Sequence, residues 1–210
     1  METKKENKIK AVVFDCDGVM FDTDNANKMY YNGILEHFGK SPMTQEQFRF
    51  AHMSPVKEAL KYLFQDMEKI DVVFDYCSRL TYDSLIPHMN MESSLRELLG
   101  KLKGIFITAI ATNRSNTMNG VLEYYQLKND FQLVVTSLDV ENPKPYPDQL
   151  FKIIDHFNIK PNEMLYIGDS TTDEQAALKA EVVFVAYDNK TLQADYYISD
   201  LKEIEKILKI

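Results

Sequence analysis

The apolar run Ala11-Val12-Val13-Phe14 reads as a buried strand, yet no second strand follows it for about ninety residues. A lone strand with unpaired backbone groups is not viable, so residues 8–15 must join strands made much later in the chain. Candidates come at 105–111, 131–136, 164–167, 182–186 and 195–198. Helical patterns fill the spaces between and after them, at 115–125, 147–157, 172–179 and 201–208. Strands alternating with helices imply an α/β fold, a doubly wound parallel sheet of Rossmann-like type.

The long gap before residue 105 is helical. Asp24 is the expected N-cap of a helix that ends near Gly39, and a second helix is expected near 44–51. Ser54-Pro55 supplies an N-cap and a proline at the first helical position for residues 56–64. A further stretch runs over 68–85, closed by Pro87, and Ser94-Leu95-Arg96-Glu97 reads as a capping box. These helices are too many for one crossover. They predict a helical-bundle cap over residues 22–88, inserted after the first strand into a core of residues 8–21 and 89–210. The insertion is expected at the rim where the first strand ends, and in open α/β sheets ligands bind at the carboxyl ends of the strands.

Charge and cysteine usage narrow the classes of function. The net charge is −8, from 24 Lys+Arg against 32 Asp+Glu, which argues against nucleic acid and anionic membranes as partners. A locally positive site for a small anion remains compatible with an acidic protein. Cys16 and Cys77 form neither a metal spacing nor a disulfide framework, which fits a reducing cytoplasm. The N-terminus is polar, with no apolar signal core, and no apolar run approaches transmembrane length.

Four strand ends carry polar chemistry. The first ends in Asp15-Cys16-Asp17-Gly18, two carboxylates two residues apart at the tip of a core strand. Buried carboxylates call for a cation, a proton or both. The strand at 105–111 ends in Thr112-Asn113-Arg114. After 131–136 comes Lys144, fixed between Pro143 and Pro145. The strand at 164–167 ends in Gly168-Asp169-Ser170, with Asp173 four residues beyond Asp169. Each residue alone has an ordinary use as turn, cap or exposed loop. Together they describe one site. Asp15, Asp17 and Asp169 make an oxygen-rich site suited to Mg²⁺, while Thr112 and Lys144 suit a phosphoryl group.

These stretches resemble the haloacid dehalogenase superfamily, in the phosphoglycolate phosphatase and β-phosphoglucomutase-like subgroup with a helical cap. The resemblance rests on Asp15-Cys16-Asp17-Gly18-Val19, Thr112, Lys144 within Pro143-Lys144-Pro145-Tyr146-Pro147-Asp148, and Gly168-Asp169-Ser170-Thr171-Thr172-Asp173, in that order. It implies a phosphatase acting on a small phosphorylated metabolite through an aspartyl-phosphate. Asp15 is then the nucleophile and Asp17 the acid and base. Mg²⁺ is held by the Asp15 carboxylate, the Asp17 backbone carbonyl and Asp169. Asp173 stands behind them or orients Lys144. Thr112 and Lys144 neutralise the phosphoryl oxygens, and Gly18, Asn113, Arg49 and His52 contact substrate.

Departures from relatives sharpen this. Dehalogenase and phosphonate-cleaving relatives lack an acid at Asp17, and the cap lysines Lys57 and Lys61 read as solvated helix positions. Pro55 stands where a mutase relative carries an arginine, which favours hydrolysis. Arg49, His52 and Lys57 are the residues that could substitute for it. A phosphosugar mutase and a non-catalytic regulatory protein of the same fold stay as alternatives.

Overall fold

The N-terminal strand finds its partners on both edges, in the middle of the sheet. A computed structural model describes residues 9–54, 56–65, 70–80, 82 and 84–210, with the backbone alone for His52 and Met53. Its strands are β1 (Ala11–Phe14), β2 (Phe21–Asp22), β3 (Asn90–Met91), β4 (Ile107–Ala111), β5 (Leu133–Val135), β6 (Met164–Gly168), β7 (Val183–Tyr187) and β8 (Tyr196–Ile198). Six of them form one parallel sheet in the order β5-β4-β1-β6-β7-β8, and β2 pairs with β3 separately. Phe14 stands opposite Ile110 on one side and Ile167 on the other. All four residues of β1 are fully buried, as a strand covered on both faces must be.

The helices are α1 (Asp24–His37), α2 (Gln45–Met53), α3 (Val56–Phe64), α4 (Ile70–Ser78), α5 (Leu95–Leu102), α6 (Met118–Tyr124), α7 (Asp148–Phe157), α8 (Thr171–Ala180) and α9 (Ile204–Leu208). The chain divides into two compact units, Met1–Asp22 with Met91–Ile210, and Thr23–Asn90. In the first, Ala11 and Val13 of β1 pack with Leu150 and Ile153 of α7 and Ala176 and Ala177 of α8. Small residues on α8 let that helix lie close to the sheet. The second unit has its own core, where Tyr31, Ile34 and Leu35 of α1 meet Leu60 and Leu63 of α3 and Val73 of α4. None of the helices among the described residues is long and apolar enough to cross a membrane.

Several local expectations are corrected. Thr23, not Asp24, occupies the cap position of α1, and Asp24 lies in the first turn, where its charge suits the helix N-terminus. The stretch at 68–85 does not continue as one helix. Its first two residues fall outside the described residues, and α4 ends at Ser78, where the Arg79 and Leu80 amides turn back to the carbonyls three residues earlier. A separate 3₁₀ turn, Ile86–His88, carries Pro87. Ser94 does begin α5 but makes no capping bond, because its hydroxyl lies 2.7 Å from Asp200 and within reach of Glu92. The last helical stretch opens as a 3₁₀ turn, Leu201–Glu203, before α9. Thr44, by contrast, caps α2 through a full capping box with Gln47. The expected Ser54-Pro55 start of α3 involves Pro55, which lies outside the described residues.

Candidate active site

Three adjacent strands, β4, β1 and β6, end side by side, and each delivers an acid or a hydroxyl to the same rim. Asp15 follows β1, Thr112 follows β4 and Asp169 follows β6. The Asp15 amide is anchored on Ile167 O (2.9 Å) and the Thr112 amide on Val135 O (3.0 Å), so the sheet ladder itself places both side chains. Because β1 has partners on opposite sides that come later in the chain, this is the point where the winding of the sheet reverses, the usual location of a ligand crevice.

Lys144 is the hub. Its ammonium is almost entirely buried and lies 2.8 Å from Asp15 Oδ1, 2.7 Å from Asp173 Oδ1, 2.9 Å from Tyr166 Oη and 3.0 Å from Ala111 O. An ammonium has three protons, so four acceptors already share them. The loop that carries it is held by neighbours. The Asn113 side-chain amide donates to Lys144 O (2.9 Å), and the buried Gln149 amide donates to Thr112 O (2.6 Å). Burial acts to lower the Lys144 pKa, but the charges of Asp15 and Asp173 outweigh it and keep the ammonium form above its ordinary value.

Asp173 uses its two oxygens differently. Oδ2 takes the Ser170 amide (3.1 Å) and closes the capping box of α8, while Oδ1 faces Lys144 and the Tyr166 hydroxyl. One residue is therefore both helix cap and part of the charge network. Burial acts to raise its pKa, but Lys144 and the surrounding hydrogen bonds hold it below the usual carboxylate value. Tyr166 is fully buried, and burial followed by the charges of Asp173 and Asp15 pushes its phenol well up, so it stays a donor.

Asp15, Asp169 and Asp173 bring carboxylate oxygens within 4.8 Å of one another. Burial pushes Asp15 up to about 7, with Lys144 pulling it down and Asp173 adding to the rise. Burial also pushes Asp169 up to about 8, helped by the charges of Asp15 and Asp173. Lys144 alone does not balance this group. An all-oxygen donor set with excess negative charge fits a hard divalent cation such as Mg²⁺.

Asp17 is placed differently from Asp15. Its carboxylate is outside the acidic group and is held by the Arg114 fork, with Nε at 3.2 Å from Oδ2 and Nη2 at 2.5 Å from Oδ1. Cys16 between the two acids is fully buried, and burial, then the Asp17 charge, pushes its thiol well up, which leaves it unreactive.

Gly18 carries the turn after the acids at φ +82°, and a Cβ there would fall on the Asp169 carboxylate. Gly18→Ala is therefore expected to cost at least about 1–2 kcal/mol from the left-handed backbone alone. It should also displace Asp169. Chemical denaturation together with calorimetric titration of Mg²⁺ checks both effects, and unchanged values in both would refute them.

The structure thus brings together Asp15, Asp17, Gly18, Thr112, Asn113, Lys144, Asp169 and Asp173 on one rim of the first unit. Arg49 lies exposed on α2 in the helical unit. His52 belongs to the same helix, but its side chain lies outside the described residues, as does Pro55. Sequence reasoning missed roles for Arg114, Tyr166 and Gln149. A tyrosine and a glutamine on buried faces are the available signal for the last two, and Arg114 directly follows Thr112-Asn113.

A family profile described as haloacid dehalogenase-like hydrolase matches residues 12–187. A solved hydrolase of Geobacter sulfurreducens, described as subfamily IA, variant 1, of the same superfamily, superimposes with a TM-score of 0.85. It is 38% identical, with 99% of this chain and 100% of that one covered. A phosphoglycolate phosphatase of Chromobacterium violaceum is 27% identical over 96% of this chain and 97% of its own. A pyrophosphatase of Anoxybacillus flavithermus is 24% identical over 96% and 98%.

Proposed function

Because this chain belongs to the haloacid dehalogenase-like hydrolases, we propose that it is a Mg²⁺-dependent phosphatase of a small phosphorylated metabolite in the cytoplasm. The observation that carries this reading is the Asp15 carboxylate, held by a buried lysine among acids at the switch point of the sheet. The names of the two curated relatives, both phosphate-releasing enzymes, support it.

Asp15 is the nucleophile. Lys144 binds its Oδ1 and so fixes the carboxylate with Oδ2 free to attack phosphorus. The bond to the leaving oxygen breaks as the Asp15–phosphorus bond forms, and Asp17 supplies the proton that the leaving alkoxide takes. Asp17 then takes a proton from water as that water attacks phosphorus, which frees Asp15 and inorganic phosphate. Asp15, Asp169 and the Asp17 backbone carbonyl would hold Mg²⁺, which supplies neutralising charge at the phosphoryl oxygens. Thr112 offers a hydroxyl at the same rim. Lys144 supplies its charge from behind Asp15, because its protons already face protein acceptors. Asn113 would act through its backbone, since its side chain holds the lysine loop. The helical unit Thr23–Asn90 is read as the cap, with Arg49 and His52 as the residues that choose the leaving group.

The test is a phosphate-release screen over phosphoglycolate, sugar phosphates, nucleotides and pyrophosphate, with Mg²⁺ and with EDTA. Mg²⁺-dependent release from at least one substrate is expected. No release from any would overturn the reading in favour of a non-catalytic protein, and conversion without phosphate release would favour a mutase. Thermal melts give a readout independent of turnover. Asp15 and Asp169 have folded-state pKa values raised to about 7 and about 8, so their contribution to stability is present below the ordinary carboxylate pKa and lost as pH rises through those values. Metal-free protein should melt lower at pH 8 than at pH 5, and Mg²⁺ should raise the melting temperature more at pH 8. At a hundredfold excess over Kd the stabilisation is about 2.7 kcal/mol, or about 5–10 °C.

A further inference from the structure

We propose that Arg114 is a positioning residue for Asp17, whose fork fixes the direction in which the Asp17 carboxylate meets the leaving group. The inference rests on Asp17 being the group that exchanges a proton with that oxygen.

The geometry points one way. Asp17 sits in the turn after β1, closed by Gly18 N to Phe21 O (2.8 Å) and Phe21 N to Cys16 O (3.0 Å). Its backbone is fixed, yet its side chain is 35% exposed and would turn freely if nothing held it. Arg114 holds both oxygens side-on, through Nε to Oδ2 and Nη2 to Oδ1. That leaves one lone pair on each oxygen for a proton or a substrate oxygen.

The arginine is itself anchored. Its side chain is only 7% exposed, Nη1 donates to Thr117 Oγ1 (3.2 Å), its amide donates to Thr112 Oγ1 (3.1 Å), and its carbonyl accepts from Ser137 N (3.3 Å). The contacts to Thr112 and Ser137 tie it to the loops after β4 and β5. A fork fixed on the sheet scaffold transmits the position of the sheet to an otherwise loose carboxylate. This differs from exposed ion pairs of the same unit, such as Lys128 with Glu123, where both partners are more than half exposed and the pair does little for stability or direction. Lysine could not replace the fork, since it offers a point charge without planar bidentate geometry.

A leaving-group comparison tests this. An alkyl phosphate such as phosphoglycolate departs as a poor leaving group and needs a proton. p-Nitrophenyl phosphate departs as a stable phenolate and needs little help. Misplacing the acid should therefore slow phosphoryl transfer to Asp15 from the first ester and spare it from the second. The later attack of water, which also uses Asp17, is common to both, so the first turnover is measured. For Arg114→Met, the single-turnover rate of phosphoryl transfer from the alkyl ester should fall about 10–100-fold, part of the ~10²–10⁴ that general acid catalysis supplies, with its half-saturating concentration nearly unchanged. On the nitrophenyl ester the fall in the first-turnover release of nitrophenolate should stay within about threefold, which also shows that the variant is folded. Arg114→Lys should show the same selectivity, reduced in size. In an Asp17→Asn background Arg114→Met should have no further selective effect.

Equal loss of the first-turnover rate on both esters would overturn the proposal. So would a rise in KM with kcat intact, which would make Arg114 a binder of the substrate's own anion. The alkyl ester used is one that the unaltered enzyme hydrolyses in the screen above; if it hydrolyses none, the phosphatase reading itself falls, an outcome separable from the failure of the fork alone.

Discussion

Asp15→Asn is expected to abolish phosphate release, by on the order of 10⁴-fold or more, without lowering the melting temperature. The amide keeps the shape of the carboxyl and can still accept from Lys144, but it cannot attack phosphorus. Its effect on stability has a definite sign. The Asp15 carboxyl is raised to about 7 by burial, so at pH 8 the folded state holds an unfavourable charge that the amide removes. Metal-free Asp15→Asn should melt above the parent at pH 8, and the gain should vanish toward pH 4, where both carry a neutral group. Retained turnover would remove Asp15 from the mechanism. A lower melting point at pH 8 would contradict the electrostatics.

Lys144→Met should have the largest effect on folding. It leaves Asp15 and Asp173, both buried, on either side of an apolar chain with no cation between them. Breaking a buried ion pair from one side costs about 3–5 kcal/mol. In a chain of this size that lowers the melting temperature by about 6–20 °C. The lysine holds Asp173 below the usual carboxylate pKa, so the stability from this pairing is present above that value and lost as pH falls. That loss lies below about pH 4; above it, the buried acids stranded in the variant are relieved by taking up protons, so the difference between parent and variant should shrink from pH 7.5 to pH 4. Adding Asp173→Asn should recover part of the loss, because one of the two stranded charges is gone. Denaturation curves at both pH values measure this, and a loss under about 1 kcal/mol would show that the hub is not structural.

Legibility in the sequence followed the range of the interactions. Residues 11–14, 107–111, 164–168 and 183–187 are strands because their apolar runs need cover on both faces, a property written in a few consecutive residues. The winding of the sheet then follows from the need to pair the first strand. Features decided by distant partners were not legible. The box at Ser94 is a good local signal, but Asp200 draws its hydroxyl away. β2 and β3 are two residues each, too short for any periodicity. In the site, the residue types of Asp15, Lys144 and Asp169 stand out against their strand and loop surroundings. The Tyr166 hydroxyl looks like ordinary core packing until Lys144 and Asp173 are brought beside it. Arg114 reads as a turn residue until Asp17 lies opposite its fork.

The central place of β1 also sets an order of events during synthesis. Phe14 is made well before its partners Ile110 and Ile167, which lie roughly a hundred and a hundred and fifty residues further along the chain. At about 5–20 residues per second the ribosome needs on the order of ten seconds to supply the second one. Throughout that time the strand that carries Asp15 waits with one or both edges open, the condition in which strands pair with the wrong chain. Thr23–Asn90, which has a hydrophobic core of its own, can fold while β1 waits. Yield in the cell should thus depend on how the nascent chain is protected until β6 emerges, more than on the stability of the finished sheet.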